Sequence, residues 1–128
     1  MKTIFSAEVL RRIESTWSAA QDRKQACEIL ATYGLEEHER ERHRVQLAIL
    51  KLSGGSLDRL CEMVQSAKTD YRDVLMWAEY PEEEQALWSV RPRLSREEQE
   101  RLARIRERDR KQYEDWRKMW TDSHDDAN

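Results

Sequence analysis

Apolar residues recur every three to four positions along much of this chain, and that spacing predicts helices. Ser6 can cap a first helix, with Phe5 and Leu10 at the two positions of a hydrophobic staple and Leu10, Ile13, Trp17 and Ala20 on one face. Asp22 can cap a second helix, with Ala26, Ile29, Leu30 and Tyr33 inward and Gly34 as a left-handed stop. A third helix is expected from about residue 35 to 52. Its first half, EEHERERHR, is wholly polar, and its second half, VQLAILKL, belongs in the core. The turn SGGS at 53–56 supplies two glycines for positive φ and a capping serine. From there Leu57, Leu60, Cys61, Val64, Ala67, Tyr71, Leu75 and Ala78 make one continuous stripe. Two long helices joined by so short a turn form an antiparallel hairpin.

Pro81 and the three glutamates after it favour a short helix ending near Trp88, and Pro92 breaks the chain again. Ser95 and Glu98 have the spacing of a capping box. The helix they open is expected over 96–120, about 38 Å at 1.5 Å per residue. It has a thin apolar seam of Leu102, Ile105, Tyr113, Trp116 and Trp120, interrupted by Asp109. The expected fold is all-α: a small bundle over 1–90 containing the Gly-turn hairpin, a long and partly exposed charged helix over 91–120, and a disordered acidic tail over 121–128.

Composition narrows the class. Charged residues make up 38% of the chain, against roughly 25% in an average globular protein. The net charge is only −3, and five Trp and four Tyr supply large buried areas, so an ordered core is expected. Three Gly and two Pro are few for a fold of many turns or strands. No apolar run is long enough to span a membrane. The N-terminus MKTIFSAEVLRRIE meets acids and arginines before a signal-type segment can form, so a cytoplasmic location is expected. Cys27 and Cys61 belong to no C-x-x-C and read as reduced, partly buried residues.

Three stretches invite chemistry. Residues 38–43 read HERERH, close to the zinc motif H-E-x-x-H. On an intact helix, however, His38 and His43 stand about 140° apart and cannot share a metal. The arginine-rich run RLARIRERDRK (101–111) offers Arg101, Arg104, Arg108 and Lys111 to nucleic acid. Its basic side chains ring the helix instead of sharing a face. Glu97–Arg101, Glu100–Arg104, Glu107–Lys111 and Glu114–Lys118 have the spacing of supporting ion pairs. Trp116 and Trp120 need a cover, either the helical body or a second copy of the chain as a homodimer.

The third stretch is DYRDVLMWAEYPEEE (70–84). On one continuous helix, Asp70, Asp73, Trp77 and Tyr80 fall opposite the core stripe, and something should cover that second face. The cover is either the chain's own C-terminal segment or a protein partner, since Trp and Tyr beside charge are common interface anchors. Asp70 and Asp73 lack a neighbouring His, Cys or Gly-rich loop, so a catalytic carboxylate pair is not expected. The segment 48–83, with its apolar helix, Gly turn and DYRDVLMWAEYP, resembles a group of short bacterial proteins without a known activity. The resemblance implies an all-helical fold in a bacterial cytoplasm and lends no reaction. The function expected from the sequence is therefore a non-catalytic protein–protein interaction module, an adaptor, regulator or inhibitor without cofactor or metal. A regulator using the Arg-rich helix on nucleic acid comes second, and an enzyme third.

Overall fold

The computed structural model describes residues 5–88 and 94–125, with side chains described over 5–87 and 94–118. It is all-α, with no strand among the described residues. Its helices are α1 (Ala7–Thr16), α2 (Ala20–Leu30), α3 (Arg42–Ser53), α4 (Leu57–Thr69), α5 (Tyr71–Glu79), α6 (Pro81–Trp88) and α7 (Arg96–Asp125). None of the described helices is long and apolar enough to cross a membrane. The chain divides into two compact units, Met1–Leu75 and Met76–Asn128, the division falling inside α5. The helix α6, which the sequence reading grouped with residues 1–90, thus lies in the second unit.

In the first unit, α3 and α4 form the expected hairpin, α2 packs on α4, and α1 lies against α2 and α3. The turn needs its glycines: Gly54 and Gly55 adopt φ of 58° and 85°. Ser56 then caps α4 by accepting the Arg59 N–H at 3.2 Å. The middle of the unit is α3, where every residue from Val45 to Leu50 is buried. Ser6 caps α1 through the Val9 N–H at 3.2 Å. The inward face of α1 is Val9, Ile13 and Trp17, while Leu10 is 39% exposed. At the end of α1 the Trp17 indole N–H donates to the Gly55 carbonyl at 3.0 Å, which ties this helix to the α3–α4 turn. Facing α2 and α3, α4 buries Leu60, Met63, Val64 and Ala67. Cys61, expected in that stripe, is exposed.

The last helix, α7, runs to Asp125, past the expected end at 120 and into the stretch expected to be a disordered tail, and three other elements depart from the pattern read in the sequence. The second helix starts after Ala19, which makes no side-chain cap. Asp22 sits inside its first turn, where its charge still favours the helix dipole. Second, α3 begins only at Arg42, so residues 35–41 are not helical. A helix polar all round buries nothing, and this stretch instead gains a buried carboxylate anchor. Third, the expected long fourth helix breaks at Asp70, whose φ of −157° and ψ of 103° are extended. Within the first unit, buried positions nevertheless continue into α5 with Val74 and Leu75.

In the second unit α6 packs on α7. The capping box forms in full: the Glu98 N–H donates to the Ser95 hydroxyl, and the Ser95 N–H to the Glu98 carboxylate, both at 3.1 Å. The seam of α7 buries Ile105 and Tyr113 and half-buries Leu102 and Trp116. The rings of Tyr113 and Trp116 stack with centroids 5.5 Å apart. Asp109, which interrupts that seam, is 1% exposed and has a function of its own. Its two oxygens accept the Glu82 and Glu83 N–H groups at 3.3 and 2.8 Å, which caps α6 from another helix. The first turn of α6 needs this, because Tyr80 precedes Pro81 and a tyrosine has no short oxygen to offer as a cap. Beside it, the Arg106 guanidinium forks onto the buried Glu83 carboxylate at 2.6 to 3.0 Å.

Candidate functional site

The chain between α2 and α3 turns at Gly34, whose φ is 98°. A Cβ there would lie 2.4 Å from Cδ of Arg42, so a larger residue would both strain the backbone and displace that side chain. Just beyond the turn, the Glu39 side chain is folded inward to 1% exposure. Its Oε1 accepts the Gly34 and Leu35 N–H groups at 2.8 and 3.2 Å. Its Oε2 lies 3.2 Å from the Lys68 ammonium, which also donates to the Thr32 carbonyl at 2.8 Å. Burial alone would raise the Glu39 pKa. The Gly34 N–H and the Lys68 ammonium outweigh burial and hold the carboxyl below the ordinary glutamate range. The buried Tyr33 hydroxyl donates to the Arg40 carbonyl at 2.8 Å. Burial, with Glu39 nearby, raises the Tyr33 pKa, so this hydroxyl keeps its proton. His38 Nε2 sits 3.2 Å from the Lys68 carbonyl at the end of α4.

These bonds fix the base of the 35–41 loop and leave its outer side chains in water. Leu35 is 68% exposed, and Glu36, Glu37, His38 and Arg40 are exposed with it. Across from the loop is the break between α4 and α5. An open cleft of about 640 Å³ lies between them, with Glu37, His38 and Arg40 on one side and Asp70, Tyr71 and Arg72 on the other. Asp70 caps α5, taking the Arg72 N–H at 3.0 Å and the Arg72 guanidinium at 3.1 and 3.3 Å. The hydrogen bond from Arg72 holds the Asp70 carboxyl below the usual aspartate range. It stays ionised at neutral pH and is a poor proton donor. What this arrangement offers chemically is charge and hydrogen-bonding groups along an open cleft.

The four residues singled out in DYRDVLMWAEYPEEE do not share one helix. Asp70 precedes α5 and Tyr80 follows it. The angular grouping assumed a continuous helix, which the break at Asp70 removes. Asp73 is exposed in the first turn of α5, as its charge prefers. Trp77 is half-buried, and its indole N–H donates to the Glu84 carboxylate in α6 at 3.0 Å. Half-buried Tyr80 gives its carbonyl to the Glu84 N–H at 3.0 Å. The polar handle of Trp77 is thus taken by its own chain. Trp116 stacks on Tyr113, while the side chain of Trp120 lies outside the described residues.

On α7, Arg101, Arg104, Arg108 and Lys111 are all exposed, and Arg108 stands 3.9 Å from Glu82. Several ion pairs differ from those anticipated. Arg96 pairs with Glu100 and Arg110 with Glu114, in the Arg-first order, and Arg110 also bonds Glu107. His38 lies in the loop and His43 in the first turn of α3, so a helical angle between them has no meaning. Among the described residues, no group of three or more His, Cys, Asp or Glu is placed to hold a metal ion. Burial and the neighbouring Glu14 and Glu28 raise the Cys27 pKa, which keeps that thiol protonated.

Sequence reasoning passed over Glu39, Lys68 and Asp109. A lone acid at an inward seam position, together with an upstream helix start at Pro81 that lacks a capping side chain, is the signal for Asp109. Nothing distinguishes Glu39 from the other glutamates of its run. Compared with protein-family models, curated proteins and solved structures, the chain matches none.

Proposed function

We propose that this chain is a non-catalytic protein-binding module, an adaptor, regulator or inhibitor, that meets its partner through the 35–41 loop and the cleft beside it. The observation that carries this reading is the buried Glu39 carboxylate. Burying a carboxylate is costly unless it is fully bonded, and here all of its bonds hold an exposed loop in one conformation. A loop ordered in advance loses less entropy when a partner arrives, which is the gain of preorganisation. Leu35 gives the loop an apolar anchor, and the surrounding charges give selectivity. The engagement of Arg106 and Arg110 by acidic side chains supports a protein over a nucleic acid as the partner.

The test is affinity capture from the source cells with the wild-type chain beside Leu35→Asp. Leu35 is exposed, so the substitution should leave thermal unfolding unchanged while the captured partner is lost. Equal capture by both, with equal melting, would reject the loop as the docking element.

A further inference from the structure

We infer that the cleft between the 35–41 loop and the α4–α5 break takes an extended peptide segment carrying one acidic and one basic side chain in a set order. This rests on the protein-binding reading above and specifies what the same site recognises. A volume of about 640 Å³ is within the roughly 300–1,000 Å³ typical of ligand clefts. Its walls carry Glu37, Arg40, Asp70 and Arg72 beside Ala67, Thr69 and Tyr71, so a wholly apolar occupant would strip water from those charges without replacing it.

Most of the polar groups are already engaged. Asp70 and Arg72 neutralise one another through a forked contact, and His38 is turned to the Lys68 carbonyl. Two charges remain: no ion pair joins Glu37 or Arg40 to another group among the described residues. They stand three residues apart on a backbone that Glu39 and Tyr33 hold in place. Their order along the loop is therefore fixed. An occupant that satisfies both presents a carboxylate to Arg40 and a cation to Glu37. A single ion could answer only one of them. An extended segment, at about 3.3 Å per residue, can present two side chains of opposite charge in a set order and lay an apolar stem on Tyr71.

The experiment uses two end-blocked synthetic hexapeptides of one composition, one with Asp two residues before Lys and the other with the order reversed. Binding to the full chain is followed by amide shifts of Arg40 and Tyr71 during titration. One order should bind several-fold more tightly. The double substitution Glu37→Arg with Arg40→Glu should reverse that preference, and thermal unfolding checks that the fold is retained. Equal binding of the two peptides, or a preference that survives the charge swap, would overturn the inference. If neither peptide binds while Leu35→Asp still loses the captured partner, this inference fails and the protein-binding reading stands. If an order preference reverses with the swap while Leu35→Asp captures as well as wild type, the cleft is supported and Leu35 is not its anchor.

Discussion

A single carboxylate holds the connection between α2 and α3. Glu39 bonds two backbone N–H groups and the Lys68 ammonium from a nearly dry position. Glu39→Gln keeps the shape but removes the charge, and should cost about 1.5–3 kcal/mol at neutral pH, the range for hydrogen bonds to ionised groups. The pH dependence has a definite sign. The folded pKa lies below the unfolded value of about 4.3, so the contribution is complete above that value. It is lost as pH falls through the depressed folded value. Urea unfolding of both proteins across acid pH should show a stability gap that is constant above about pH 5 and closes in acid. A gap that persists to the lowest pH at which the chain folds would contradict the assignment. Little of this was legible beforehand. The run EEHERERHR is polar on every side, and a pattern without an apolar face does not say whether it forms a helix or a loop. Gly34 marked the turn, but which glutamate goes inside depends on Lys68, which comes from another helix.

At the scale of the element, caps within about four residues were readable and caps from a distance were not. Ser6, Ser56 and the Ser95–Glu98 box each act on the helix they precede. The same local logic was present in Asp70-x-x-Asp73, a capping residue followed by a first-turn acid, but the continuing apolar stripe concealed it. Two carboxylates that looked like a site are in part a helix start. By contrast, Asp109 caps α6 from 26 and 27 residues away. Asp109→Ala would leave two N–H groups of α6 without their acceptor in a buried setting. It should destabilise the protein by about 1–3 kcal/mol, the cost of a lost cap or an unmade buried bond. Asp109→Asn, which keeps one oxygen, should cost less. Faster amide exchange at Glu82 and Glu83 in Asp109→Ala is the specific sign, and unchanged exchange there would count against the cap. On the outer side of α7 the basic residues ring the helix. A duplex should therefore show only weak, sequence-independent retention at physiological salt, and submicromolar binding abolished by Arg104→Glu with Arg108→Glu would reverse that expectation.

Across the whole molecule the two compact units differ in what their interiors are made of. In Met1–Leu75 the buried residues are mainly aliphatic, with α3 buried from Val45 through Leu50 and Leu60, Val64 and Leu75 beside it. Each such side chain contributes about 1.5–3 kcal/mol on burial. Among the described residues of Met76–Asn128, buried Ala78, Ile105 and Tyr113 are matched by three buried carboxylates, Glu79, Glu83 and Asp109. Buried carboxylates bonded to arginine or backbone give back most of their Coulombic gain as desolvation, so they define geometry more than they add stability. The sequence already separated these two interiors, since VQLAILKL is dense and the α7 seam is thin. It did not reveal that the seam is completed by acids. Native-state hydrogen exchange in low denaturant should therefore find the amides of α6 and α7 opening at a lower free energy than those of α3 and α4. Equal opening free energies for all four helices would mean that the chain unfolds as one cooperative body. In that case the bonds made by Asp109 and Arg106 would be as integral to the global fold as the aliphatic core of α3.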